Sequence, residues 1–142
     1  MFINYMSLAI NEAKKSKNEV PVGCVMVDKK GCVISSTSNT VESSKSSIMH
    51  AEIDCINQAI EKTGEKFLNN YSMYVTLEPC MMCFGAICIS RVGALFIGSR
   101  KEDSKSINIL SHYNLNHKPE IYFDIMKKEC DNLINSFFYC LR

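Results

Sequence analysis

The chain has 142 residues, 46% apolar and 22% charged, the balance of one soluble globular domain spanning residues 1–142. A formal net charge of +1 excludes the overall basic field of a DNA-coating protein and leaves room only for a local basic strip, so no DNA partner is expected. Met1-Phe2-Ile3-Asn4-Tyr5-Met6 lacks the basic and apolar regions of a signal peptide, and no run is apolar enough to span a bilayer. The expected setting is therefore the cytoplasm, with no membrane partner and the 8 cysteines kept as free thiols.

Residues 2–17 carry Ile3, Met6, Ile10 and Ala13 at helical spacing. Val20 to Val27 is almost continuously apolar, as in a strand covered on both faces. Asp28-Lys29-Lys30-Gly31 has turn chemistry, and Cys32-Val33-Ile34 begins a second strand, so the two form a hairpin. Most of Ser35 to Ser47 is rich in Ser and Thr and reads as loop. From His50, the residues Ile53, Ile56, Ala59 and Ile60 mark a helix that stops at Gly64. Met73 to Leu77 is a short strand, and Pro79 favours an extended Glu78. Met81 to Ile89, apolar nearly all round, is expected to be a buried helix. Ala94 to Ile97 is a strand closed by Gly98, residues 101–118 give no clear pattern, and Glu120 to Phe123 suits a last strand. Met126, Cys130, Leu133, Phe137 and Leu141 form the stripe of a C-terminal helix. Strands alternating with helices after a hairpin imply an α/β fold with a mixed sheet of about five strands and helices on both faces.

The chemistry concentrates in two short motifs at helix starts, His50-Ala51-Glu52 and Pro79-Cys80-Met81-Met82-Cys83. Cys80 and Cys83, three apart at the start of a helix, point to one side, where the positive helix end favours thiolate. With His50 they make a three-ligand zinc site that keeps a fourth position for water, the arrangement of catalytic sites. Glu52, two residues from His50, is placed to move protons between that water and a bound base. H-x-E followed by P-C-x-x-C is the signature of the zinc deaminases that act on nucleobases. A thioredoxin-like redox pair is disfavoured by the Met-Met spacer and the upstream H-x-E. A structural zinc site would need a fourth protein ligand, for which His112, His117 and Cys88 are the candidates.

Beyond these motifs the chain resembles the bacterial tRNA-specific adenosine deaminases, within the cytidine-deaminase-like superfamily. The resemblance runs through Glu19-Val20-Pro21-Val22-Gly23, Asn39, His50-Ala51-Glu52-Ile53 and Tyr74-Val75-Thr76-Leu77-Glu78-Pro79-Cys80-Met81-Met82-Cys83, and continues at Gly85-Ala86, Ser90-Arg91 and Asn116-His117. It implies a homodimer of three-layer α/β/α subunits, one Zn2+ per subunit, that converts the wobble adenosine of a tRNA anticodon loop to inosine with release of ammonia. By this resemblance His50, Cys80 and Cys83 bind the metal, Glu52 is the catalytic proton shuttle, and Asn39, Val22 and Ala51 contact the substrate base. A base unstacked in an anticodon loop suits a chemistry that needs the ring drawn out of the stack. On residue chemistry alone Asn39 equally suits a turn, Arg91, Lys14, Lys15 and Lys17 read as surface charge, and Glu78 carries no assigned role.

The chain departs from the family in one place. Where the family has Arg then Asp and a glycine- and alanine-rich stretch, this sequence has Ser99-Arg100-Lys101-Glu102-Asp103-Ser104 without a following glycine. That departure bears on substrate rather than on the zinc chemistry. Two other readings therefore stay open: a deaminase of a free base or nucleotide of the guanine or cytosine type on the same zinc site, and a non-catalytic zinc module that binds RNA or a protein.

Overall fold

The computed structural model describes residues 2–101 and 105–141, so part of the departing segment, residues 102–104, lies outside the described residues. The elements run α1 (Phe2–Lys14), β1 (Gly23–Val27), β2 (Val33–Ser38), α2 (Val41–Ser44), α3 (Ala51–Thr63), β3 (Ser72–Leu77), α4 (Met81–Ile89), β4 (Ala94–Ser99), α5 (Ser106–Ser111), β5 (Glu120–Tyr122) and α6 (Lys127–Cys140). They build one five-stranded sheet in the order β2-β1-β3-β4-β5. β1 pairs antiparallel with β2 and β3, whereas β3, β4 and β5 run parallel. The mixed sheet expected from the alternation of elements is thus present, with β1 alone running against the other four strands.

Helices cover both faces. Met6, Ala9 and Ile10 of α1 and Cys130 of α6 pack with Val25, Val27, Tyr74 and Phe96 on one side of the sheet. Cys55, Ile56 and Ala59 of α3 and Phe84 and Ile87 of α4 pack with Cys24, Met26, Met73, Val75 and Leu95 on the other. β1 and β3 feed both layers, which accounts for their nearly unbroken apolar sequence. Gly23 lets α1 lie directly on β1: a Cβ there would stand 1.8 Å from the Ala9 carbonyl oxygen.

Three expectations are corrected. Ser35 to Ser38 continue β2 instead of starting a loop. Their alternation is concealed because the inward side chains are hydroxyls: Ser35 Oγ donates to the Cys55 carbonyl at 2.9 Å, and Thr37 Oγ1 to the Ala51 carbonyl at 2.7 Å. α1 stops at Lys14, short of residue 17, since beyond Ala13 no apolar side chain continues its stripe and the chain tightens through Ser16 N–H on the Ala13 carbonyl at 3.2 Å. The apolar helix α4 is only half buried: Cys83, Phe84, Ile87 and Cys88 face inward, while Met81 is 50% and Ile89 77% exposed. All eight cysteines are free thiols. No helix among the described residues is long and apolar enough to cross a membrane.

Candidate active site

Two helix N-termini meet where β3 leaves the sheet, in the crevice at the carboxyl ends of parallel strands where α/β sheets bind ligands. His50 is the N-cap of α3, with extended backbone at φ −75° and ψ 155°. Cys80 is the N-cap of α4, at φ −69° and ψ 174°. Ser, Thr, Asp and Asn are the residues that stabilise this position, because their oxygens accept a free backbone N–H. Neither His50 nor Cys80 caps its helix with its side chain. Both cap positions are given instead to side chains that face each other.

His50 Nδ1 lies 3.4 Å from Cys83 Sγ and 3.7 Å from Cys80 Sγ. The three ligating atoms lie within 4.8 Å of one another, and this is the one such cluster of His, Cys or carboxylate groups among the described residues. Zinc bonds of about 2.3 Å to sulfur and about 2.0 Å to nitrogen give tetrahedral edges of roughly 3.5–3.8 Å, so the donor set fits zinc in both chemistry and spacing. None of the candidate fourth ligands joins it. His117 Nε2 bonds the Val92 carbonyl at 2.7 Å, Cys88 is in the core, and His112 caps the end of α5. Three protein ligands and a free position are the mark of a catalytic site, and the structural-zinc reading loses its support.

The Cys83 thiol hydrogen-bonds to Cys80 and, with the Cys83 and Met82 amides and the His50 charge, draws the Cys80 thiol down to about 5 against the cost of burial. The same contact and burial push Cys83 upward. Glu52 is 4% exposed; burial raises its carboxyl above the ordinary glutamate value, although hydrogen bonds from the Cys83 thiol and its own amide pull the other way. A carboxyl held above its ordinary value in a buried place suits a group that must both take and give a proton.

These groups open on a cleft of about 510 Å³. Val22, Asn39, His50, Ala51, Glu52 and Cys80 line it, and Cys83 is buried beside them, so all the residues singled out in the sequence converge on one place. Asn39 follows β2, its N–H donates to the Val22 carbonyl at 3.0 Å, and its Nδ2 donates to the Val20 carbonyl at 3.2 Å. That last bond fixes the amide orientation and leaves Oδ1 buried without a partner. Ala51 and Val22 supply apolar wall.

Several lining residues were not assigned to the site from the sequence. Glu19 shapes the wall through the α2 segment, Glu78 and Lys101 sit beside the cleft, and Phe137, Phe138 and Leu141 of the C-terminal region lean over it. The Phe137-Phe138 doublet was the available hint, since Phe138 falls off the core-facing stripe and is 46% exposed. Two of the surface cations have partners outside the cleft: Lys15 pairs with Glu12 at 2.7 Å, and the Arg91 guanidinium stacks 4.2 Å from the Phe67 ring centre.

Comparison with known proteins agrees with this geometry. The model of the cytidine and deoxycytidylate deaminase zinc-binding region matches residues 3–99. The tRNA-specific adenosine deaminase of Bacillus subtilis (strain 168) is 38% identical over 97% of this chain and 89% of its own. That of Rickettsia bellii (strain RML369-C) is 40% identical over 89% of this chain and 91% of its own. A solved structure from work on A-to-I editing by tRNA:A34 deaminases at the wobble position superposes with a TM-score of 0.86 at 32% identity, covering 92% of this chain and 98% of that one. With its H-x-E and P-C-x-x-C motifs folded into one zinc-fitting site, the chain belongs to the zinc-binding cytidine and deoxycytidylate deaminase family, in the branch of the tRNA-specific adenosine deaminases.

Proposed function

We propose that the chain hydrolyses adenosine to inosine at the wobble position of a tRNA anticodon, with water consumed and ammonia released. The observation that carries this reading is the His50, Cys80 and Cys83 triangle with the buried Glu52 carboxyl at the wall of the same cleft. Bound zinc supplies a water acidic enough to lose a proton near neutral pH. Glu52 would take the first proton of that water, deliver it to ring N1 as the water oxygen bonds to C6, and carry the second proton from that oxygen to the amine as the C6–N6 bond breaks. Val22 and Ala51 pack against the flat ring, and Asn39, oriented by the Val20 carbonyl, holds its edge.

The polymer substrate is favoured by what adjoins the cleft. A second hollow of about 1050 Å³ continues from it, sharing Val20, Leu77, Glu78, Lys101 and Phe138. Arg100, Lys101 and Lys127 border that hollow together with Glu78 and Asp131, Arg100 being paired with Asp124 and Lys127 with Asp131. A free base needs no such annex, whereas the nucleotides on either side of a flipped adenosine do. The chain then works as one catalytic domain in the cytoplasm, where its substrate is, and as a homodimer through the exposed face of α4.

Incubation of the zinc-loaded protein with an anticodon stem-loop carrying a wobble adenosine, and separately with free adenine, guanine and cytosine, tests the reading by nucleoside analysis. Inosine in the RNA is the expected result. Turnover of a free base with none in the RNA overturns it in favour of a free-base deaminase, and no turnover of any of them in favour of a binding module.

A further inference from the structure

Glu78 takes no part in the chemistry above, and among the described residues nothing pairs with its side chain. It follows β3, with its backbone N–H on the Ser99 carbonyl at 2.8 Å. Its side chain packs into the protein, leaving the residue 8% exposed. Oε2 is shut off from solvent and has no hydrogen-bond partner. Among the described residues no lysine or arginine pairs with it. A buried carboxyl oxygen without a donor costs stability, and an apolar residue of similar shape would fill the space more cheaply. A donor from outside the chain is the remaining account.

Position identifies the donor. Glu78 stands on the partition between the cleft and the second hollow and borders both. His50, Glu52 and Cys80 line the cleft and not the hollow, so the partition lies on the side away from the metal triangle. Adenine carries a single donor group, the amine that leaves, and that group must sit at the metal. A donor at the partition therefore belongs to the rest of the nucleic acid, and the sugar is the part covalently next to the base. Within an RNA chain the 3′ and 5′ oxygens of the sugar are esterified, which leaves the 2′-hydroxyl as its one donor, and this is the group that distinguishes RNA from DNA.

We propose that Glu78 accepts a hydrogen bond from the 2′-hydroxyl of the nucleotide whose base fills the cleft, and that it is a residue by which the enzyme selects RNA. The proposal rests on the adenosine reading of the cleft. Rotation about the terminal bond of the side chain, whose torsion is broad and two-fold, brings either oxygen to the ligand without a change of the inner rotamers.

The test is a four-cornered comparison of kcat/KM. Zinc-loaded wild-type protein and Glu78→Ala are each assayed on an anticodon stem-loop with ribose at the target adenosine and on the same loop with a single 2′-deoxy substitution there. A hydrogen bond to a charged group predicts a loss of roughly tenfold or more on removing either partner. The deoxy substitution then costs wild type at least about tenfold and costs the variant less than about twofold, because the partner is already gone. An equal deoxy penalty in both proteins overturns the proposal. Glu78→Gln, which keeps the shape and an uncharged acceptor, carries the same comparison if Glu78→Ala loses zinc or melts early, with an expected penalty between the two. Absence of inosine from wild type on the all-ribose loop would overturn the tRNA reading itself, and this one with it.

Discussion

Glu19 and Ser43 are joined across the wall of the cleft: the Glu19 carboxylate accepts the Ser43 N–H at 2.8 Å and, with its other oxygen, the Glu42 N–H at 3.0 Å. These are the first amides of α2, which a four-residue helix leaves without internal partners. The segment that carries Val41, Glu42 and Ser47 onto the cleft is thus held by one carboxylate from before β1.

The pH dependence of this clamp follows from its sign. Burial pushes the Glu19 carboxyl up, but the Glu42 and Ser43 amides and the Ser43 hydroxyl outweigh it, so the net displacement is downward. A carboxyl lowered in the folded state stabilises above its unfolded value of about 4.3, and that stabilisation fades as pH falls through the lowered value. Glu19→Gln is expected to lose about 1–2 kcal/mol at pH 7 and to raise KM several-fold with kcat little altered. Urea unfolding of both proteins between pH 7 and pH 3 checks it: the gap should shrink on acidification, and a constant gap would contradict the clamp.

Glu52 and Cys83 separate metal binding from chemistry. Glu52→Gln leaves His50, Cys80 and Cys83 in place, so zinc content should stay near one per chain while deamination falls by about 10³-fold or more. Cys83→Ala removes a ligand that is itself fully buried on the inward face of α4, and should lose both the metal and thermal stability. Metal analysis and melting curves distinguish the two; zinc loss in Glu52→Gln would make Glu52 part of the ligand set.

Gly23 fixes the depth at which α1 seats on the sheet beside Val22. Its missing Cβ would fall 1.8 Å from the Ala9 oxygen and 2.8 Å from the Ala13 nitrogen, both backbone atoms that no rotamer change can move aside. Gly23→Ala is expected to cost about 3 kcal/mol by overpacking, measured by denaturant midpoint. A change below about 0.5 kcal/mol would mean that α1 is free to ride up.

The sequence already exposed most of the fold and nearly all of the metal site. Amphipathic stripes and apolar runs marked α1, α3, β1, β3 and α6, and ligand spacing marked His50, Cys80 and Cys83, because both are local patterns. What stayed hidden depends on long-range partners. Ser35 and Thr37 look like loop until the α3 carbonyls they bond are seen. Glu19 looks like one more surface acid until its two amide donors, 23 and 24 residues away, come into view. The all-round apolarity of α4 suggested full burial, since composition alone does not separate a core face from a face turned outward.

That outward face carries the last prediction. Met81 is 50%, Met82 37% and Ile89 77% exposed on a helix with no charged residue, next to the Cys80 and Cys83 ligands. Apolar side chains grouped in this way mark an interface, and an isologous dimer through α4 covers them with their own copies. Ile89→Glu places like charges opposite one another in such a dimer without disturbing the subunit, where the side chain touches solvent. The wild-type protein should sediment as a dimer and Ile89→Glu as a monomer of unchanged melting profile at low concentration. If α4 also steadies the metal site through its partner, the monomeric variant will lose activity while retaining zinc. Sedimentation of the wild type as a monomer at tens of micromolar would remove the dimer and leave the α4 face for another ligand.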